Sequence, residues 1–205
     1  MMVQVLKASV RARIEDAALR SFAEHGYGGT SMAMIAAAAK TAPANLYRYY
    51  PAKEVLFDAA VPASLARDHD VLLDARIAAL AEGGTAETVT ATELLDFWVK
   101  HRLAMVVLLD RAEGTRFAAY PAAFVDRLTG HARQSLTSES TPEQLEILRL
   151  VFDNTRRAIA RILASREDRE HIRALITAFW SYQLPGLRGL LAFLNSGGGK
   201  PDDKR

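Results

Sequence analysis

Apolar residues along the first sixty positions fall in short stripes of helical spacing. Val10, Ile14, Ala18 and Phe22 recur every four residues, with Ala17 and Ser21 beside them, and predict one amphipathic helix. Gly26 is suited to a left-handed helix end, and His25 sits at the negative end of that helix. After GYGGT, Ser31 is a good N-cap for a short second helix from Met32 to about Ala38. A turn at Lys40-Thr41 follows. Pro43 has the fixed φ favoured at a first helical position and opens a third helix that reaches about Arg48. Pro51 breaks the chain again, and Lys53 starts a longer helix that Pro62 is expected to bend.

Beyond it the pattern stays helical, with breaks at EGGT (82–85), around Gly114 and at TSESTP (137–142). Leu94, Trp98, Met105 and Leu109 form a stripe that includes His101 and Arg102. Leu148, Phe152, Thr155, Ile159 and Ile162 form a second, and Ile172, Ile176, Phe179, Gln183, Leu187, Leu190 and Leu194 a third. Strand-like alternation is absent and no internal repeat is found, so the fold is read as all-α. The tail, 196–205, ends GGGKPDDKR and is expected to be disordered.

Composition narrows the classes. Half of the 205 residues are hydrophobic and 24% are charged, enough for a sizeable core. No cysteine is present, which excludes thiolate metal sites and a cysteine nucleophile. Apolar runs such as Leu103 to Leu109 are too short to span a bilayer, and the N-terminus lacks the apolar core of a signal peptide. A cytoplasmic protein with no membrane partner is expected. The net charge of +2 hides an asymmetry: residues 1–53 carry seven Lys/Arg against three acids, and residues 54–205 carry 19 against 21. A basic head on a mildly acidic body points the head toward a polyanion.

Two short helices around a tight turn, packed by a preceding helix, make a helix-turn-helix unit. Ile35, Ala36 and Ala39 supply the inner face of the first, and Leu46 anchors the second. The outer face of the second is Pro43, Ala44, Asn45, Tyr47 and Arg48, small or hydrogen-bonding residues that let it lie close in a major groove of double-stranded DNA. Tyrosine hydroxyls, Lys53, Thr30 or Ser31 and the positive helix N-termini suit phosphate oxygens. Tyr49 and Tyr50 have two readings, backbone contacts or core aromatics joining the third and fourth helices.

These residues resemble the DNA-binding domain of the TetR (tetracycline-repressor-like) regulators, whose pattern reads roughly T-[ST]-x-x-x-I-A-x-x-A-G-V-S-x-x-x-L-Y-x-Y-F-x-[SN]-K-E-x-L. The match is ungapped at Thr30, Ser31, Ile35, Ala36, Ala39, Leu46, Tyr47, Tyr49, Lys53, Glu54 and Leu56, and FAEHGY (22–27) fits the family's lead-in. The chain departs at the turn, where Lys40 and Thr41 replace glycine and valine. A left-handed Lys40 would cost roughly 1 kcal/mol. Met34 replaces a capping-box acid, and Ala42 and Ala52 replace the usual caps of the third and fourth helices.

The resemblance implies a head at 1–52 that binds DNA at Thr30, Ser31, Pro43, Ala44, Asn45, Tyr47, Arg48, Tyr49 and Lys53. It also implies a helical body at 53–195 that dimerises and holds a small-molecule inducer. Surplus apolar positions over 142–194, with Gly186 and Gly189, fit a homodimer interface, the alternative being intramolecular core. For the inducer, Trp98, Arg102, Met105, Phe117, Tyr120 and Phe152 are candidate walls, with Phe179 and Trp180 nearby in the pattern. Arg102 on an apolar face needs an anion or an internal partner such as Asp110, Glu93 or Asp153. The expected function is a repressor released from a palindromic operator by an inducer, with an activator lacking an inducer as the alternative in the same class. The alternative in another class is a helical HD-type hydrolase on His69-Asp70, expected at the solvent face, needing His25, His101 and Asp126 to converge. No cofactor, metal or catalytic residue is assigned.

Overall fold

Helix boundaries fall at the residues least able to continue a helix. The computed structural model describes residues 2–85, 88–137, 139–165 and 168–196, with side chains from residue 8 onward. The helices are α1 (Met2–Gly29), α2 (Met32–Ala38), α3 (Pro43–Tyr49), α4 (Lys53–Ala60) and α5 (Ala63–Ala81). They continue with α6 (Val89–Lys100), α7 (Arg102–Asp110), α8 (Tyr120–Gln134), α9 (Pro142–Ala164) and α10 (Arg169–Asn195). No strand occurs among the described residues, so the fold is all-α.

Three boundaries refine the periodicity. Gly26 takes φ 71° and kinks α1 before its last turn. Pro62 does not bend a long helix as expected; it separates two. Val61 leaves the helix at φ −128° and Pro62, extended and without an N–H, sits at the N-cap of α5. His101, at φ −108° and ψ 26°, divides the stripe from Leu94 to Leu109 into α6 and α7. The tail expected to be disordered, 196–205, lies outside the described residues from 197 on.

The body is organised around α7. Ala104 through Leu109 are all buried, so this helix is apolar on every side, with α1, α6, α8 and α9 packed around it. Its two ends are fastened to α9 by a reciprocal pair of arginines. Arg102, at the start of α7, donates to Leu163 O at 3.0 Å and Ser165 O at 3.3 Å, carbonyls left over at the end of α9. Arg156 of α9 donates to Leu109 O at the end of α7, and to Asp153 Oδ1 at 2.6 Å. Burial opposes ionisation of Asp153, yet hydrogen bonds from Arg156 and Arg157 hold its carboxyl below the usual range.

Three helices of the body are capped where two of the head's are not. Thr141 and Gln144 close a capping box on α9, Asp168 accepts from His171 N at 2.7 Å on α10, and Thr88 caps α6. Ala42 and Ala52 give α3 and α4 no side-chain cap.

His69 of α5 is buried among Phe97, Trp98, Tyr120 and Phe124, with ring centroids 6.1 Å away. Its Nδ1 is 2.6 Å from Tyr120 Oη, and Tyr120 in turn donates to Asp70 Oδ1 at 2.8 Å. The expected solvent position of His69 is therefore corrected: His69 shares an inward stripe with Leu65, Ala66 and Leu73. Burial, with Arg127 nearby, pushes its pKa from 6.5 down to about 3. The unfolded chain thus takes up a proton first, and stability present above pH 6.5 is lost as the pH falls toward 3. Urea unfolding at pH 4.5 should show about 1–3 kcal/mol less stability from this group than at neutral pH. His69→Phe should flatten that pH dependence; an unchanged slope would show that other groups carry it.

Candidate nucleic-acid interface and body cavity

The head is held by its own aromatic cluster. Phe22 and Tyr27 of α1 meet Phe57 of α4, the Phe57 ring lying 5.3 Å from each of the other two. Tyr27 donates to Glu54 Oε1 at 2.7 Å, and burial, then this carboxylate, push the phenol up to about 12. The same hydrogen bond holds the Glu54 carboxyl below its usual range. The Lys53 ammonium lies 4.1 Å from the Tyr27 ring centre and donates to Tyr27 O at 2.8 Å and Thr30 O at 3.0 Å. Together α1 and α4 clamp the loop that delivers α2.

The turn between α2 and α3 is left-handed without glycine. Lys40 takes φ 50°, and Thr41 N closes the turn on Ala36 O at 3.0 Å. The left-handed conformation is thus adopted by a non-glycine residue, at a cost of about 1 kcal/mol. Thr41 then has a role that valine lacks: its hydroxyl accepts from Asn45 Nδ2 at 3.0 Å. One amide hydrogen and the carbonyl oxygen of Asn45 stay available for a base edge.

The expected DNA-binding residues divide by burial. Pro43, Ala44, Tyr47 and Arg48 are exposed on one face of α3, with Tyr47 half exposed, and Asn45 lies between them partly covered. Ser31 is exposed but its hydroxyl already caps Met34 N. Thr30 does not offer a hydroxyl to solvent: it is buried and donates to Ser21 O and Gly26 O. Lys53 is half-buried and engaged with the carbonyls at the end of α1. Tyr49 packs partly against the core, and Tyr50 is buried and donates to Glu15 of α1, under the Arg11 guanidinium. Lys40, which sequence reasoning treated only as a departure, adds an exposed cation beside this face.

In the body, a cavity of about 80 Å³ lies among α5, α6, α8, α9 and α10. Of the expected ligand residues, Trp98 and Phe152 line it. The others are elsewhere. Met105 is fully buried within α7, and Arg102 caps α9 beside Arg20 and Glu24 of α1. Phe117 packs on Phe57 between head and body, while Tyr120 is committed to His69 and Asp70. The cavity's polar residues are Arg76, Thr155 and Gln183, with Trp180 as a further wall. Arg76 was legible, since it follows His69 and Leu73 at helical spacing on the same stripe. A larger hollow between α8 and α9, about 940 Å³, opens broadly to solvent and is rimmed by Asp126, Glu143, Glu146 and Arg149. His25, His69, His101 and Asp126 do not converge, and no cluster of three or more His, Asp or Glu suited to a metal occurs among the described residues.

The clamp makes Lys53 a stability residue of the head. Lys53→Met should speed amide hydrogen exchange in α2 and α3, by about 1–2 kcal/mol of local stability, in protein free of DNA. Unchanged exchange would show that the two carbonyl contacts contribute nothing.

Residues 14–60 match the family model described as bacterial regulatory proteins, tetR family. No curated protein and no solved structure matches the chain. No helix among the described residues is long and apolar enough to cross a membrane. The matched segment runs from Ile14, a fully buried residue of α1, to the last residue of α4, taking in the helix-turn-helix and the clamp that supports it. The head of the chain, residues 14–60, is thus a domain of the tetR family of bacterial regulatory proteins.

Proposed function

We propose that the protein is a homodimeric repressor, released from a palindromic operator when a small molecule occupies the body. One observation carries this reading. The helix that walls the cavity with Leu73, Arg76 and Ile77 is separated only by Val61-Pro62 from α4, whose Lys53 and Glu54 clamp the head. Arg116, on the body side, also reaches Asp58 of α4 at 3.1 Å and Val61 O at 3.2 Å. A ligand that displaces α5 thus pulls on the support of the reading helix. By linkage, an inducer that lowers operator affinity binds less well to the DNA-bound form.

In this reading residues 1–52 form the head and 53–195 the body, and the protein works in the cytoplasm beside its DNA. Asn45 reads an adenine edge, Pro43 and Ala44 rest against thymine methyls, and Tyr47, Arg48 and Ser31 meet phosphates. Tyr49, Thr30 and Lys53 act from behind, positioning that face. No catalytic residue and no cofactor belongs to it.

Support for the dimer comes from α10. Leu175, Ala178, Tyr182, Gly186, Gly189 and Phe193 follow one another at three- and four-residue spacing on its exposed side, and Tyr182 is 78% exposed. A Cβ added at Gly186 or Gly189 would meet nothing within 4 Å inside the protomer. Glycine inside a helix costs about 1 kcal/mol relative to alanine, and no intrachain contact at these two positions offsets it. Close approach of a second α10 would do so.

Two measurements test the reading. Gly186→Leu should leave the protomer folded while shifting sedimentation from the dimer to the 22.5 kDa species; retention of the dimer places the interface elsewhere. Asn45→Ala should relax preference at one base pair in each half-site, worth about 1–3 kcal/mol, and leave the salt dependence intact. Arg48→Ala should lower the salt slope by about one per lost phosphate contact, for all sequences alike. If Asn45→Ala alters the salt slope and not base preference, Asn45 contacts the backbone.

A further inference from the structure

Among the described residues, one charge in the cavity has nothing to balance it. Arg76 is 4% exposed, with its Cζ 5.4 Å from the Trp180 ring centre. Nη1 donates to Thr88 Oγ1 at 2.8 Å, while Nη2 is buried with no hydrogen-bond partner, and no carboxylate pairs with the guanidinium among the described residues. Trp98, on the facing helix α6, has a buried Nε1 in the same condition. On the opposite wall the polar groups satisfy each other: Gln183 donates to Thr155 Oγ1, and Thr155 donates to Val151 O at 2.8 Å. Arg76 Nη2 and Trp98 Nε1 each lack an acceptor, and a buried guanidinium left unpaired is costly.

We propose that this cavity binds a small carboxylate, whose oxygens take the free hydrogen bonds of Arg76 and Trp98. The guanidinium fork matches a carboxylate in shape as well as charge. Leu73, Ile77, Leu94 and Phe124 leave hydrocarbon around the rest of the ligand. At about 80 Å³ the space is about half the roughly 150 Å³ cavity that holds benzene, so a carboxylate of two or three carbons fits. As the inducer of the proposed repressor, this carboxylate depends on that reading. Its binding to the free protein does not.

Isothermal titration of the full-length protein with propionate, propionamide and propylamine separates charge from shape. Propionate should bind about 10–100-fold more tightly than the amide, and the amine should not bind. Equal affinity for acid and amide, or no binding of propionate at millimolar concentration, overturns the proposal. A second arm needs no ligand. Arg76→Met removes an unpaired buried charge, so the free variant should melt at or above the wild-type temperature while losing the propionate response. A large fall in melting temperature would assign the guanidinium to an internal pair and overturn the proposal. Operator release is read separately by DNA binding with and without propionate. Binding that needs Arg76 but leaves DNA affinity unchanged keeps the carboxylate site and removes the inducer role.

Discussion

A helix whose central residues no water reaches sets the architecture of the body. Residues Ala104 to Leu109 present apolar side chains in every direction, so each neighbour of α7 gains by covering part of it. The hydrophobic effect has no direction, however, and by itself leaves an apolar rod free to slide or turn. Arg102 and Arg156 remove that freedom by bonding α7 and α9 at opposite ends, each arginine finishing carbonyls that the other helix leaves over. Since α1 packs against the same rod, the head is joined to the body through packed side chains as well as through α4.

The head divides its residues between holding and reading. Tyr27, Tyr50, Thr30, Lys53 and Glu54 turn inward or along the seam, where they fix the loop, the end of α3 and the start of α4. The clustered Tyr47-Arg48-Tyr49-Tyr50 splits accordingly: two exposed side chains, one partly covered and one buried. Thr41 shows how a departure from a family pattern can acquire a use, since its hydroxyl orients Asn45 at the edge of the exposed face.

Most of the helical framework was legible because it depends on local rules. Ser31, Pro43, Pro51 and Gly26 act on their immediate neighbours, and the first three helices end within a residue or so of where those rules put them, apart from the turn of α1 beyond Gly26. Pro62 was misjudged because a proline tells where an amide is missing, not whether the chain resumes in the same direction. The cavity was harder. A stripe says that Arg102 and Arg76 both face inward, but not what they meet. Arg102 meets the carbonyl end of a helix sixty residues away, and Arg76 meets a gap. His69 was placed outside by its charged neighbours Arg67 and Asp68, although its spacing to Leu65 and Leu73 already put it inside. For the DNA-contacting residues the sequence supplies the exposed face, and only a bound duplex assigns each contact.

The shortness of α3 limits how much text one head can read. Seven residues rise about 10 Å, which spans about three base pairs of a duplex. Three positions with four letters each distinguish at most about 64 words, against about a million or more competing sites in a genome. Even two such words yield only about four thousand combinations, so base contacts alone underdetermine an address. In the proposed dimer the remaining information has to reside in geometry: the gap between the two words, and the stiffness of the DNA that joins them. The rigidity with which α4 and α7 hold each head of that dimer is therefore part of the code.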